Sequence, residues 1–470
     1  MAGIGFELRK VASLGNARGI FQASLSGIMI VAGPWLISIL TILMFQQPVM
    51  GIPAEFRQLF TASTVYIYAT SLVINGGFHY IFTRILSDYL YRNENPKAFA
   101  YTVQYMLKSN IVFIPLAFGM VQLFFHNISV LHKAGFIILF VTINHIWILM
   151  LTASAMKRFN QLLLGYIIGM SSSLILMKMA MMFVSSEALL LAYATGQVIL
   201  FLIVLFYLRG DMGYDKVTRK GDFLKYSRRY YYLFFTGFVY YGALWADKFI
   251  YWYLRGEAIG FTSLRLYPEY DVIVYLTNLM MIPGMVFFVI YSETEFFVSL
   301  KKFLDSMSNK PYHEIQANQR ILVRANRKIL KEQIGLQAIF TLLFITWSLN
   351  DPNLSQQLRI IFPTALSIMV LGLYVCIMNF LFYVEQYRQV LISCLIFFLT
   401  NVLLAWYGEG GDWITPGISS LAGILLATLT AGLFLNHALQ NLDRTIYTAI
   451  TKGRLREIRE AHQKLAQKSL

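Results

Sequence analysis

Twelve apolar runs, each long enough to cross a bilayer as a helix, take up most of this chain. They fall near 20–45, 59–85, 107–127, 134–155, 159–184, 187–209, 230–254, 271–297, 330–349, 358–384, 387–407 and 413–438. About 20 mainly apolar residues span the hydrocarbon core as a helix. In lipid each segment must satisfy its own backbone N–H and C=O groups, so such runs read as helices. Only 13% of the 470 residues are charged and 57% are hydrophobic, against about 25% charged in soluble domains. So little charge cannot cover a soluble protein of this size.

The formal net charge is +15, and its distribution explains it. Of 39 Lys and Arg, five lie on one side of the spans (Arg57, Lys133, Arg255, Arg265 and Arg359). Two lie inside spans, Lys178 and Lys248, and the other 32 gather at the two ends and in the loops of the opposite side. This is the positive-inside asymmetry, and it sets both ends in the cytoplasm. The basic balance is topogenic and calls for no nucleic-acid partner. Cys376 and Cys394 both fall in apolar spans, so neither a disulfide framework nor a thiolate metal site is expected. The first run is too long for a signal-peptide core and reads as a retained helix. There is no Walker A pattern, HExxH or phosphate loop, so no cofactor, metal or catalysis is expected. No outward loop exceeds 255–270, which leaves no room for an external catalytic domain.

The longest cytoplasmic segments are 210–229 and 298–329, and the first divides the spans six and six. The expected organisation is a six-helix bundle over 1–209, a basic linker over 210–229 and a second bundle over 230–440 that includes 298–329. A basic tail follows over 441–470. Two bundles of this kind are the layout of many transporters. No residue-level repeat accompanies it, so the duplication rests on layout.

Inside the spans, polar residues are costly and informative. In span two, Thr61, Thr64, Tyr68, Ser71, Asn75, His79 and Thr83 recur at spacings of three and four, so all seven share one helical face. Either this face walls a hydrated pathway or it hydrogen-bonds to neighbouring helices. In span seven, Asp247 and Lys248 are adjacent; they point about 100° apart and each is expected to find another partner. Lys178, at similar depth in span five, is one candidate for Asp247; a structural ion pair and a transport role are both open. Phe234, Phe238, Tyr241, Trp245 and Trp252 form an aromatic stripe on span seven. Such a stripe suits sugar rings, and equally suits core or interfacial packing. Gly33-Pro34 in span one and Pro283-Gly284 in span eight should kink or break their helices. Segment 298–329 carries Lys301, Lys302, Arg320, Arg324, Arg327 and Lys328 among apolar residues. It reads as an amphipathic helix that lies on anionic lipid or docks a cytoplasmic partner.

A specific likeness now emerges. The opening MAGIGFELRK, the Gly33-Pro34-Trp35 triplet, the Trp245–Lys248 WADK, Tyr270-Asp271 and the Glu293–Phe297 ETEFF together resemble the PelG family over the whole chain. These are inner-membrane components of bacterial Pel exopolysaccharide export. The resemblance implies a transporter of the multidrug/oligosaccharidyl-lipid/polysaccharide flippase type: an all-α protein of about twelve transmembrane helices in two six-helix bundles. Spans one, two, seven and eight would line its central cavity. It further implies a PelF-like cytoplasmic glycosyltransferase, PelD-like and PelE-like membrane partners, and a neutral N-acetylhexosamine polymer as cargo. Two other readings stand beside export: a drug or ion antiporter on the same scaffold, which needs a deep titrating carboxylate, and a non-conducting anchor for the polysaccharide synthase.

Overall fold

The computed structural model describes residues 51–215, 222–408 and 415–448, with a few isolated positions outside them. Its helices are α1 Ala54–Tyr91, α2 Asn95–Phe124, α3 Val130–Ala155, α4 Phe159–Phe183, α5 Leu189–Met212 and the short α6 Asp222–Arg229. The second half holds α7 Tyr231–Arg255, α8 Pro268–Leu279, α9 Met281–Tyr291, α10 Phe297–Asn309, α11 Tyr312–Asn350, α12 Leu358–Tyr383, α13 Tyr387–Tyr407 and α14 Ile418–Gln440. A two-stranded antiparallel ribbon, β1 Glu257–Ala258 with β2 Arg265–Leu266, closes the outward loop after α7.

Among the described residues, nine helical segments are long and apolar enough to cross a membrane. Helices α1 and α7, at 38 and 25 residues, match them in length. Their polar and aromatic stripes dilute their apolarity. The first expected span falls almost entirely outside the described residues; there Gly33 is helical and buried, and Pro34 is not described.

The helices form two lobes with separate apolar cores. One core joins α1–α5 through residues such as Phe82, Phe136, Leu139 and Leu190. The other joins α9–α14 through Phe296, Leu322, Tyr374, Phe380 and Phe397. Within the first lobe, α4 offers Gly165, Gly169 and Ser173 to α5 at four-residue spacing. A side chain on Gly165 would come within 2.6 Å of Val204, so only small residues let these helices pack this close.

One helix-capping turn recurs where consecutive helices join. The α3–α4 and α12–α13 connections each hold one left-handed residue, Lys157 at φ 59° and Glu385 at φ 57°. Each closes with the same two bonds, Lys157 N to Ser154 O and Arg158 N to Ala153 O, matched by Glu385 N to Phe382 O and Gln386 N to Leu381 O. The α1–α2 turn repeats the motif at Asn93.

Segment 298–329 departs from expectation. It is a helical hairpin of α10 and the first turns of α11, not one helix on the lipid surface. Its apolar face, Ile315, Leu322 and Ile329, is buried in the second core beside Leu300, Phe303 and Leu439. The chain itself thus covers the apolar face that was expected to meet lipid or a cytoplasmic partner.

Candidate functional site

The two lobes meet where α1 runs along α7. Near the inner half of both helices, glycines remove the side chains that would hold them apart. A Cβ on Gly76 would lie 2.5 Å from the carbonyl oxygen of Gly237 and 2.6 Å from the Tyr241 ring. One on Gly237 would overlap the Gly76 carbonyl, and one on Gly77 would overlap that of Phe234. The two backbones touch at this crossing.

The aromatic stripe of α7 lies along this seam. At the inner end Phe78 of α1 meets Phe234 and Phe238, with ring centroids 5.2 and 6.1 Å apart. Tyr241 lies against Gly76. Trp245, half-buried, packs toward Phe249 and Trp252 at 6.2 and 6.1 Å. At the outer end Tyr66 stacks on Trp252 at 4.7 Å, and its hydroxyl bonds to the backbone of Arg265 in the ribbon. At the opposite end of the seam Arg84 sits over the Tyr230 ring and reaches Glu385 at 3.9 Å, while Tyr226 donates to Asp88. Along α1 and α7 the lobes are therefore in contact from face to face.

Asp247 and Lys248 do pair with each other, contrary to expectation. The Lys248 ammonium lies 3.0 Å from both carboxylate oxygens of Asp247. Their Cβ atoms diverge, but a lysine stem is long and flexible enough to fold back. Asp247, fully buried, also accepts from Tyr270 of α8 and from Asn401 of α13 at 3.3 Å. Just outside it, Asp271 accepts the Trp252 indole N–H at 2.9 Å. These contacts tie α7, α8 and α13 together inside the second lobe. Lys178 takes no part, since it is exposed on α4 of the other lobe.

The polar stripe of span two faces the interior of the first lobe. Tyr68 meets the Tyr193 hydroxyl at 3.3 Å, and Ser71 accepts from the Trp147 indole at 3.1 Å. Asn75 donates to Asn144, and Ser63 beside the stripe bonds to His132. His79 is buried, and its Nε2 has no hydrogen-bond partner among the described residues. Ser71 and Asn75 are thus engaged with neighbouring helices. Exchanging Asn75 and Asn144 for leucine singly and together should give a coupling of about 1 kcal/mol, near the upper range for bonds between membrane helices. A double-mutant cycle on unfolding would measure it; a coupling near zero would free Asn75 from this role.

Span eight is interrupted at Met280, three residues before Pro283. Helix α8 stops at Leu279, Met280 turns, and α9 restarts at Met281. A π-helical turn at Ser292–Phe296 then leads into α10. Across the lobes, a Cβ on Gly27 would approach Val286 of α9 to 2.5 Å, so spans one and eight also meet closely. Among residues the sequence reading passed over are Gly76, Gly77 and Gly237. The Gly-Gly doublet within a long apolar run was the available signal.

Arg320, Arg324 and Arg327 line a groove of about 350 Å³ between the first turns of α11 and the end of α14. Gln319 floors it by donating to the last carbonyls of α14, at Leu439 and Gln440. Arg327 reaches Asn436 at 3.3 Å.

Comparison with known proteins matches this architecture. The family model PelG, an exopolysaccharide exporter (EPS-E), matches residues 1–447. The bent form of the Vibrio cholerae MATE transporter VcmN superposes with a TM-score of 0.58 over 90% of this chain and 99% of its own, at 12% identity. A MOP superfamily transporter from Pyrococcus furiosus gives 0.53 over 88% and 96%, also at 12% identity. A MATE structure in the straight conformation gives 0.54 over 89% and 96%, at 11% identity. At such identities the likeness establishes the fold, the two-lobed helical arrangement of MATE and MOP transporters. No curated protein sequence matches the chain.

Proposed function

The chain belongs to the PelG exopolysaccharide exporter family, and from that premise we propose that it passes a neutral N-acetylhexosamine polymer across the cytoplasmic membrane between its two lobes. A cytoplasmic glycosyltransferase builds the polymer and pushes it forward, and the lobes part along α1 and α7 to let it through. The observation that carries this reading is the aromatic ladder at the seam, from Phe234 through Tyr241 and Trp245 to Trp252. Sugar rings pack their C–H faces on such surfaces while hydroxyls and amides bond to polar rims. The charged pair beside the ladder does not oppose a neutral cargo, because Asp247 and Lys248 neutralise one another.

That same pairing gives Asp247 a fixed counter-charge at 3.0 Å, whereas an antiporter would need a deep carboxylate without one. Vesicles carrying this protein with an active synthase on the cytoplasmic face would test export directly. Polymer should accumulate on the far side, protected from an enzyme that degrades it on the synthase side. Synthesis with no polymer crossing would leave only the anchoring role.

The arginine groove is the proposed contact for the glycosyltransferase, with anionic lipid as the competing occupant and PelD-like and PelE-like proteins as membrane partners. Three guanidiniums in one groove suit bidentate carboxylate recognition. Changing Arg320, Arg324 and Arg327 to Glu should lower recovery of the transferase on purification about tenfold or more, since like-charge juxtaposition costs several kcal/mol. Membrane insertion should not change. Undiminished recovery, with loss of binding to anionic vesicles, would assign the groove to lipid.

A further inference from the structure

Beside the break in span eight lies a pair of glutamines that the export reading does not use. Gln333 and Gln337 of α11 are one helical turn apart, share a face, and are wholly buried. Gln337 donates from Nε2 to the Met280 carbonyl at 2.9 Å, at the residue where α8 ends and α9 begins. Its Oε1, and both Nε2 and Oε1 of Gln333, have no hydrogen-bond partner among the described residues. Both amides press on Gly284, where a Cβ would lie 2.7 Å from Gln333 Nε2 and would overlap Gln337 Oε1. Gly372 of α12 backs the pair at ordinary distances, 3.6 and 3.9 Å from where its Cβ would be.

Orphaned polar groups inside a membrane protein are expensive, and buried ones are nearly always bonded. Pro283 adds the second half of the argument. It brings no N–H to the Leu279 carbonyl four residues back, so the backbone at the break is one donor short and leans on side chains from other helices. One amide now holds the neighbouring oxygen, that of Met280, and a second, equivalent amide waits one turn along α11.

We propose that Gln337 and Gln333 are positioning residues of the transport cycle, which pass the Met280 carbonyl from one amide to the other as the two halves of span eight change their angle. In the state described here Gln337 holds the carbonyl. In the second state Gln333 Nε2 holds it, about 5.4 Å along α11, the rise of one turn. Gly284 is what allows the exchange, because any side chain there would occupy the space of both amides.

The proposal rests on the transporter reading only for its export readout, and spin-label distances test it separately. Labels at Val272 and Val298, both exposed and on either side of the break, would report the angle of span eight in the full-length protein, in a background lacking Cys376 and Cys394. Two distance populations are expected in the native background. Gln333→Leu should leave only the first, and Gln337→Leu should enrich the second. Should Gln337→Leu fail to insert, Gly284→Ala should displace both amides and shift the populations, while Gly372→Ala should not. Export per inserted molecule should fall with Gln333→Leu. A single distance in the native background that Gln333→Leu leaves unchanged would overturn the exchange. A change in distances without loss of export would show that transport does not need the exchange and would overturn its place in the cycle; no export from the native protein either would count against the export reading instead.

Discussion

Gly237→Ala is expected to lower export about tenfold or more per membrane-inserted molecule, although alanine is the better helix former. The added methyl would overlap the Gly76 carbonyl, a backbone atom that cannot swing aside. Overpacking of this kind costs about 1–3 kcal/mol. Here it falls on the state in which the lobes touch, so the balance between closed and parted seams shifts by about the same free energy. A cysteine at Phe78, facing Phe234 and Phe238 across the crossing, should at once become more reactive toward a small polar thiol reagent. Gly242→Ala is the matched control on the same helix, since its Cβ would meet only the Phe398 ring, at 3.4 Å. Equal export from the two variants would remove the glycine crossing from the account.

The second large effect concerns Asp247. Replacing it with alanine leaves the Lys248 ammonium, itself largely buried, without its carboxylate. Breaking a buried pair from one side costs about 3–5 kcal/mol. Asp247→Asn with Lys248→Met removes both charges while keeping an acceptor for Tyr270 and Asn401, and should restore most of the stability and the export. Thermal unfolding in detergent, read beside export per inserted molecule, separates the two quantities. Asp247→Asn with Lys178→Met should give no rescue, because Lys178 lies exposed in the other lobe. Stability recovered without export would return the pair to a direct role in transport.

The apolar spans among the described residues and the aromatic stripe of α7 were legible in the sequence for one reason. Lipid punishes unpaired charge and unbonded backbone strongly enough that length, charge and a period of 3.6 become reliable signals. Partnership between helices was much less legible. The stripe of span two announced a polar face, but not that Trp147 and Asn144 would meet it. Asp247 and Lys248 were separated by reasoning from Cβ directions, which ignores how far a four-carbon side chain bends. Segment 298–329 showed its amphipathic face correctly, yet nothing in its residues said that Leu439 and Phe303, and not lipid, would cover it. Gln333 and Gln337 lie near the expected inner end of span nine, where glutamine is unremarkable. Only the fold sets them against Met280 and Gly284.

The central claim is that the polymer passes where α1 and α7 now touch, so the seam has to open. Cysteines replacing Phe78 and Phe238, whose rings meet across it at 6.1 Å, can be joined by a short bifunctional maleimide in a background lacking Cys376 and Cys394. Polymer export is then followed in synthase-loaded vesicles before and after linking. The account predicts that the linked protein stops exporting, while either single cysteine treated in the same way continues. Export at the unlinked rate from fully linked protein would contradict it, and the path would then lie away from the seam.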